Sequence, residues 1–462
     1  MVGGLSIPAL LKEGKKTAIL SIPIIIGQVS QMLMVITDTV MVGDVGVTEL
    51  AALTFASSIF AIPFIFGIGL VTSVSILTSG AIGRADDAEA RSVCHNGFFL
   101  ALGAGCLLAA LGCLIIPFLA IFNQPEDVTA LAPPYLALVL ISIIPILSSI
   151  ALKNHSDSLD RTWEGFFIFL GGVLLNVVLN KVFIFDLGYG LTGAGWATLI
   201  SRTAILVAML LWFNNTIRVV HLAPRRWLQK PDPKTVQKLL TLGIPASLHL
   251  LAEVGAFSTA AILVGYWGEI ALAAHQVALT TAGTVFMVPL GLGIALTMRM
   301  GKAFGASDTS RYLPIIVSGW LLTISFISIT ATACWLGNEF IARLYVDNEA
   351  VISLAAKFLI IVAFFQLFDG LQVVSAGYLR GLEDVKVPAW TAFVSYWIFG
   401  IPIGWLLATT GGLEANGIWW GLATGLGLAA IFLSARVLQM ERRQKKADRH
   451  LNRQRTLNKL TG

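Results

Sequence analysis

The sequence of 462 residues contains little charge and few cysteines. Asp, Glu, Lys and Arg together make up 12% of the residues, whereas apolar residues make up 56% and the mean hydropathy is +0.82. A soluble domain of this length does not have such a composition. The four cysteines form no Cys-x-x-Cys pair, and Cys94, Cys106 and Cys113 fall in one predicted helix, which argues against a disulfide framework. The composition indicates an integral membrane protein.

The sequence also lacks the motifs of metal or nucleophilic catalysis. It has six histidines and no His-Glu-x-x-His motif. His249 and Glu253 lie four residues apart, but no third metal ligand is near them in the sequence. No nucleophile converges with a base by helical spacing. We therefore predict neither an enzyme nor a bound cofactor.

Long apolar runs recur along the chain and predict an all-α integral membrane fold. A run of about 20 residues crosses the hydrocarbon core of a bilayer, which is roughly 30 Å thick, as a helix. We predict about twelve transmembrane helices, at residues 17–41, 50–78, 94–122, 133–153, 164–185, 193–213, 241–266, 274–298, 311–336, 351–376, 388–410 and 417–438.

Lysine and arginine collect in one set of loops, which predicts the orientation of the chain. Cytoplasmic loops of membrane proteins carry an excess of these residues, and placing the N-terminus inside puts most of them on that side. The opposite side collects acids, namely Asp44, Glu49, Glu126, Asp127, Glu269, Glu339, Asp347, Glu349 and Glu414. We therefore predict that both termini lie in the cytoplasm.

Both ends of the chain are basic. Lys12, Lys15 and Lys16 directly precede a first span of full length, so we expect no cleavable signal peptide. The net charge of +5 comes largely from the tail between Arg436 and Lys459. Anionic lipid headgroups explain this tail better than nucleic acid does. We therefore predict membrane lipid as a partner and no binding of nucleic acid.

The chain repeats itself at an offset of about 222 residues. Ile22-Pro23 aligns with Ile244-Pro245, and Leu50-Ala51-Ala52 aligns with Leu272-Ala273-Ala274. Because each half would hold six helices, the halves must be parallel repeats, which predicts two pseudo-symmetric six-helix bundles around a central cleft. The predicted parts are an N-lobe at 1–222, a cytoplasmic linker at 223–240, a C-lobe at 241–440 and a basic cytoplasmic tail at 441–462.

Three acids lie inside predicted spans, namely Asp38, Glu253 and Asp369. An ionised side chain at the bilayer centre costs about 2.5–3.5 kcal/mol on insertion scales, so such an acid usually faces a cavity, a partner or a transported ion. The acids are therefore candidates for coupling transport to a proton or a cation, with Glu253 and Asp369 as the pair that would hold a monovalent cation. Arg202, inside the sixth span, has no partner that spacing can assign.

Polar side chains accompany these acids at helical spacing. Gln366 and Gln372 flank Asp369 on one helical face, and the candidates for a polar or substrate-binding cavity are Gln28, Gln31, Asn176, Asn180 and Gln276. In the repeat, Gln31 occupies the position that Glu253 occupies in the second half. The alternative is that these amides form hydrogen bonds between helices, as is common in membrane bundles. The aromatic candidates for a cation–π cage around a drug, Trp390, Tyr396 and Trp397, cannot be ranked from the sequence.

Several motifs together resemble the MATE family of multidrug antiporters, and most closely its NorM-like bacterial branch. They are Thr37-Asp38-Thr39-Val40-Met41, Leu50-Ala51-Ala52, Ile244-Pro245 followed by Glu253-Val254, Ala274-His275-Gln276, Asp369-Gly370-Leu371-Gln372-Val373 and Gly377-Tyr378-Leu379-Arg380-Gly381. The resemblance implies twelve helices in two lobes arranged as a V, in a protein of the bacterial inner membrane. It also implies export of cationic drugs or dyes, often aromatic, in exchange for Na⁺ or H⁺. Separately, we expect the protein to be a monomer.

The resemblance also implies roles for particular residues. Glu253 and Asp369 match the family's cation-binding acids, and Asp38 with Asn176 and Asn180 matches its polar cavity in the N-lobe. Related members often carry Tyr four residues before the acid of helix 10, where this chain has Phe365. Loss of this oxygen weakens an assignment to Na⁺, because hard cations prefer several oxygen ligands. Gln276, backbone carbonyls or water could replace it.

The sequence is also compatible with one other class of transporter. A flippase for lipids or lipid-linked oligosaccharides could share the two-bundle design. Such a protein is expected to place more cationic residues inside the spans, where they would meet phosphate groups. Here acids outnumber the single central Arg202. We therefore prefer the antiporter, with the flippase as the alternative.

Overall fold

A computed structural model describes residues 6–216, 222–224 and 227–461, and these residues are almost entirely helical. Twelve helices are long and apolar enough to cross a membrane. They are α1 (Ile7–Gly43), α2 (Val47–Gly83), α3 (Asp87–Cys113), α4 (Glu126–Ser158), α5 (Thr162–Asp186), α6 (Gly190–Asn215), α7 (Pro233–Trp267), α8 (Glu269–Gly305), α9 (Thr309–Leu336), α10 (Glu349–Gly381), α11 (Lys386–Thr409) and α12 (Ala415–Arg443). The prediction of an all-α membrane protein with twelve spans is confirmed.

Many of the helices are longer than the apolar runs that predict them. α1, α2 and α8 each have 37 residues, which at 1.5 Å per residue gives about 55 Å, well beyond the thickness of the hydrocarbon core. The helix of α12 continues past the membrane span as far as Thr461. Hydropathy detects only the apolar part of such helices, so the predicted spans leave out their polar ends.

The third predicted span, at 94–122, was placed too late in the chain. α3 begins at Asp87, where the side chain of Asp86 accepts a hydrogen bond from the backbone nitrogen of Glu89 at 2.8 Å. This N-cap satisfies a backbone donor that the helix leaves unpaired. The α-helix ends at Cys113, and a short 3₁₀ helix, Ile116–Phe122, follows. Pro117 at its start favours this change.

Three spans depart from a regular α-helix. α4 consists of the helices Glu126–Ile141 and Ile143–Ser158, which meet at Ser142. α5 ends in the π-helical segment Lys181–Asp186, and α11 contains the π-helical segment Val394–Gly400. α5 and α11 are the fifth helices of the two sequence repeats. Such segments rotate the faces of the helix and often occur at functional sites.

Contacts within the chain group it into two compact units. The N-unit is Ile22–Leu251, and the C-unit comprises the chain up to Ser21 together with the chain from Ala252 onward. The unit boundaries therefore fall inside α1 and α7, whereas the sequence places the lobe boundary in the loop at 223–240. The lobe limits read from the repeat stay a prediction.

In the C-unit, α10 lies at the centre and packs against α8, α9 and α12. α10 and α8 approach closely at Gly377, where an added Cβ would lie 2.2 Å from the carbonyl oxygen of Gly293. The hydroxyl of Thr297 on α8 donates to the carbonyl oxygen of Gly377 at 2.9 Å. Small residues at the crossing thus place two backbones in contact, as is typical of membrane helices.

In the N-unit, α2, α3 and α4 pack together, and α6 packs against α4 and α5. A buried cluster joins α4, α5 and α6, with Leu152, Phe169, Met209 and Phe213 among its members. This packing fixes the helices that carry the polar residues of the N-unit.

Candidate functional site

Two carboxylates interact inside the C-unit. Glu253 on α7 is 6% exposed, and Asp369 on α10 is 8% exposed. The two groups interact electrostatically. The sequence had assigned both residues to one site from their location in apolar runs, and the structure brings them together. Two buried acids in one place need a positive charge or a proton.

One positive charge close to Glu253 comes from Arg380 in the last turn of α10. Its side chain is buried and interacts electrostatically with Glu253. With all three groups ionised, two carboxylates and one guanidinium leave a net charge of −1. The sequence showed Arg380 only as part of a family motif and gave it no role. Helical spacing could not find it, because Glu253 and Arg380 lie on different helices and are 127 residues apart in the sequence.

A tyrosine from α11 completes the surroundings of the two acids. Tyr396 is 1% exposed and interacts electrostatically with both Glu253 and Asp369. The next residue, Trp397, donates a hydrogen bond from Nε1 to the carbonyl oxygen of Ala252 at 3.0 Å. The π-helical segment is therefore anchored to α7 directly before Glu253. Of the three aromatic candidates, Trp390 is 69% exposed, and only Tyr396 interacts with the acids in the structure.

Several polar atoms at this site have no hydrogen-bond partner within the described part of the chain. They are Oδ1 of Asp369, the hydroxyl of Tyr396 and Nε of Arg380. Buried polar atoms are almost always paired in folded proteins, so unpaired ones need an explanation. A small ligand that comes and goes, such as a cation or a proton carried with water, would supply it.

Phe365, at the position that is often Tyr in related chains, takes part in an aromatic stack. Its ring lies 5.8 Å from that of Trp419, with an angle of 16° between the planes. Phe358 and His275 also contact Trp419, at 5.6 Å and 5.1 Å between ring centroids. Phe365 therefore packs against α12, and the phenolic oxygen near the acids comes from Tyr396 instead.

The predicted amides of the C-unit have different surroundings. Gln366 accepts a hydrogen bond from Thr330 at 3.0 Å and donates to Sγ of Cys334 at 3.4 Å, both on α9. Gln366 therefore agrees with the alternative interpretation, in which the amides form hydrogen bonds between helices. Gln276 is exposed and donates to Thr280 on its own helix at 3.4 Å. The structure does not bring Gln276 to the carboxylates, whereas Gln372 is fully buried on α10.

The polar group of the N-unit forms around Asp38. Nδ2 of Asn180 donates to Oδ1 of Asp38 at 2.5 Å and to Oδ1 of Asn176 at 3.2 Å. Both asparagines are fully buried, and the π-helical segment of α5 begins at the next residue. The structure thus brings together the three residues that the sequence had grouped.

Arg202 has partners that spacing could not show. Its guanidinium interacts electrostatically with Asp38 and Tyr135. Its NH1 atom donates to Oγ of Ser142 at 2.6 Å, at the break in α4. The guanidinium also lies 5.1 Å from the ring of Phe60, within cation–π distance. Asp38 therefore has a fixed counter-ion inside its own unit.

Gln28 and Gln31 lie on α1 and are half-buried. Gln31 shares a helical face with Asp38, seven residues later. No hydrogen bond involves either amide within the described part of the chain. The structure therefore does not join them to the Asp38 group, and their part in a cavity stays a prediction.

The described residues contain no group of three or more His, Cys, Asp or Glu side chains that could hold a metal ion. The site of Glu253 and Asp369 offers two carboxylates and a phenol. This set consists of oxygen donors, the ligand type that hard cations take. It fits a transported monovalent cation or a proton, with backbone or water oxygens as further ligands.

Comparison with known proteins gives a consistent result. The family model MatE matches residues 23–182 and again residues 245–406, and the two matches begin about 222 residues apart, the offset of the internal repeat. The chain is 34% identical over 442 residues to the probable multidrug resistance protein NorM of Rhizobium meliloti, covering 92% of this chain and 93% of that protein. It is 31% identical over 456 residues to the multidrug resistance protein NorM of Vibrio cholerae, covering 95% and 98%.

The fold also matches solved structures. A mutant of the Vibrio cholerae MATE transporter VcmN superposes with a TM-score of 0.88 at 19% sequence identity. The match covers 94% of this chain and 98% of that one. At this identity the likeness concerns the fold.

Proposed function

Because the chain belongs to the MATE family, we propose that it is a secondary active multidrug efflux antiporter. It exports cationic or aromatic compounds in exchange for Na⁺ or H⁺ by alternating access. The observation that supports this proposal best is the buried pair of Glu253 and Asp369, with Arg380 and the hydroxyl of Tyr396 beside it. This group carries a net charge that one monovalent cation would cancel.

The charge balance gives a mechanism for exchange. With the ion absent, the net charge of −1 favours a cationic drug in the same low-dielectric surroundings. Uptake of one cation or proton by Glu253 and Asp369 removes that charge and lowers the affinity for the drug. Linkage is reciprocal, so drug binding on the other side of the membrane favours release of the ion there. One ion per cycle is the stoichiometry that this site would give.

Asp38 would serve a second polar cavity. Its carboxylate accepts from Asn180 and interacts with Arg202, so the ionised form has both a hydrogen bond and a counter-ion. We propose that protonation of Asp38 breaks this arrangement and changes the packing of α1 against α5. A group of this kind can link the protonation state to the conformation of the helix that carries it.

The cellular setting belongs to the same proposal. The protein would act as a monomer in the bacterial inner membrane, with both termini in the cytoplasm and with cationic drugs or dyes as substrates. The distribution of lysine and arginine in the sequence supports this orientation.

The buried arginines bear on the flippase alternative. A flippase would need cationic side chains that are available to phosphate groups inside the spans. Arg202 interacts with Asp38, Arg299 with Glu13, and Arg380 with Glu253. Each of these guanidinium groups is therefore balanced by a carboxylate, which favours the antiporter.

The test is efflux from liposomes that contain the purified full chain. A fluorescent cationic dye is loaded, and its movement is followed under an imposed Na⁺ gradient and, separately, under a pH gradient. We expect the gradient of the coupling ion, whether Na⁺ or H⁺, to drive dye transport. Protein-free liposomes should show no transport under either gradient. Dye that moves under neither gradient would contradict the antiporter and would direct the test to lipid flipping.

A further inference from the structure

A hollow lined by basic side chains lies where the start of α1 meets the start of α9, within the C-unit. Its volume is about 340 Å³, and it is lined by Ala9, Lys12, Glu13, Lys16, Ser310, Arg311 and Pro314. Lys12 and Lys16 are exposed and have no ion-pair partner in the described part of the chain. The side chain of Arg311 is 34% exposed. Three cations therefore face one small volume.

The single acid that lines this hollow, Glu13, is already neutralised by a buried arginine. Glu13 is 6% exposed and forms a buried ion pair with Arg299. Arg299 also donates to the backbone carbonyl of Glu13 at 2.5 Å and to the hydroxyl of Thr17. Arg311 adds a longer contact of 3.3 Å to the same carboxylate. Because Arg299 cancels the charge of Glu13, the charges of Lys12, Lys16 and Arg311 remain as a surplus.

Ser310 does not supply the donors of this hollow. Its hydroxyl donates to Oδ1 of Asp308 at 2.5 Å, so it is engaged at the rim. The three cationic side chains are the groups that can donate to a ligand. Several Lys and Arg side chains around one hollow form a site for a phosphate group, because charge-assisted hydrogen bonds to phosphate are strong.

Exposed apolar side chains lie beside the hollow. Ile7, Leu11 and Ile19 on α1 are 73%, 69% and 56% exposed. On a helix with 100° per residue they fall within about 120° of one another, with Lys15 inside that arc and Lys12 at its border. α1 is about 55 Å long, so its first turns extend past the hydrocarbon core to the level of the lipid headgroups. A phosphate site therefore adjoins an apolar helix face at the membrane boundary.

We propose that Lys12, Lys16 and Arg311 bind the phosphate group of an anionic phospholipid, whose acyl chains extend from there along α1, past Ile19, toward the hydrocarbon core. A soluble phosphate compound would use the cations but would leave the apolar face exposed. The lipid uses both, and it belongs to the leaflet on the side of the N-terminus. The site tethers the first turns of α1 to α9 and is separate from the pair of Glu253 and Asp369.

The first test uses the unmodified full chain in detergent and counts bound lipids by native mass spectrometry. The probes are a short-chain phosphatidylglycerol and the matching phosphatidylcholine, with inorganic phosphate as a competitor. We expect the protein to prefer phosphatidylglycerol and inorganic phosphate to displace it poorly. Equal binding of the two lipids would overturn the proposal, and so would displacement by inorganic phosphate at the concentration of the lipid, since that result would indicate a soluble ligand.

The second test compares two double variants with the same loss of charge. Lys12→Gln/Lys16→Gln removes the lining cations, whereas Lys230→Gln/Lys234→Gln removes two exposed lysines outside the hollow and away from α1. We expect the first variant to bind phosphatidylglycerol at least about tenfold more weakly, since basic residues near the headgroups each contribute appreciably to the attraction. The second variant and Lys12→Arg/Lys16→Arg should bind as the unmodified chain does. Equal affinity of the two Gln variants at unchanged Tm would refute the assignment.

Discussion

Glu253 is the residue on which the charge balance of the C-unit depends. It interacts with an acid, Asp369, and with a base, Arg380, while all three side chains are buried. Asp369 and Arg380 are 11 residues apart on α10, about 16 Å along the helix axis. Glu253 is therefore the group through which both charges are linked. A change in its ionisation alters the electrostatic environment of either neighbour.

Replacement of Glu253 by Gln removes the charge at nearly constant volume. We expect ion-driven dye efflux to fall to the level of protein-free liposomes, because the variant loses one of the two carboxylates that would hold the ion and the group no longer carries a net negative charge. The measurement is the initial rate of efflux under the gradient that drives the unmodified protein.

The matched control for this variant is Glu269→Gln, which removes an exposed acid at the first turn of α8. Its efflux should be unchanged. Ion-driven efflux that persists in Glu253→Gln would remove this residue from the mechanism.

Replacement of Tyr396 by Phe removes one hydroxyl beside the two acids. A hydrogen bond to a charged group contributes about 1.5–3 kcal/mol. We therefore expect the ion concentration for half-maximal efflux to rise about tenfold or more, with little change in Tm. Tyr266→Phe is the control, because Tyr266 is 82% exposed at the end of α7. An unchanged concentration dependence in Tyr396→Phe would show that the hydroxyl does not contact the ion.

Part of this site could be predicted from the sequence. Glu253, Asp369 and the group of Asp38, Asn176 and Asn180 were found because an acid or an amide inside an apolar run is costly and therefore conspicuous. Tyr396 and Arg380 could not be assigned, since tyrosine and arginine are common near helix ends and aromatic belts. Their roles follow from contacts between helices, which spacing along one helix does not report.

At the scale of helices, the close approach of α10 to α8 holds Asp369 in place. Gly377 lies two turns after Asp369, and its Cα faces the backbone of Gly293. The two backbones can approach this closely because neither residue has a Cβ. The position of the carboxylate therefore depends on a crossing that a single methyl group would disturb.

Gly377→Ala tests this dependence. An added Cβ would lie 2.2 Å from the carbonyl oxygen of Gly293, so α10 must shift. Overpacking of this kind costs about 1–3 kcal/mol. We expect a lower Tm in detergent, by scanning fluorimetry, and slower ion-driven efflux. Gly171→Ala is the control, since a Cβ there would have no neighbour within 4 Å. Equal Tm values for the two variants would contradict the role of the crossing.

The helices themselves could be predicted better than their interruptions. Apolar runs located twelve spans because hydropathy reports which segments avoid water. The break of α4 at Ser142 and the π-helical segments of α5 and α11 leave the apolar character unchanged, so hydropathy does not detect them. A π-helical segment also shifts the helical face of the residues after it. Spacing along α11 could not relate Tyr396 to Glu253 in any case, since Glu253 lies on α7.

For the whole molecule, the duplication of the chain explains how two polar groups arose. The family model matches each half once, and each unit holds a carboxylate that interacts electrostatically with an arginine and a tyrosine, together with a helix that has a π-helical segment. The halves differ in detail, since Gln31 occupies the repeat position of Glu253. The group around Glu253 in the C-unit has two acids, Glu253 and Asp369, for one arginine, whereas Asp38 in the N-unit is balanced by Arg202. This difference favours the C-unit as the site of the coupling ion.

The most direct measurement is therefore the ion movement that a drug gradient causes in the absence of any imposed ion gradient. Liposomes with the purified chain are loaded with a cationic dye, and the entry of radioactive Na⁺ and of protons is followed separately as the dye leaves. We expect one of the two ions to enter as the dye exits, in a ratio of about one to one from the charge balance, and this coupled entry to disappear in Asp369→Asn. Coupled ion entry at the normal rate in Asp369→Asn would contradict the central role of Glu253 and Asp369.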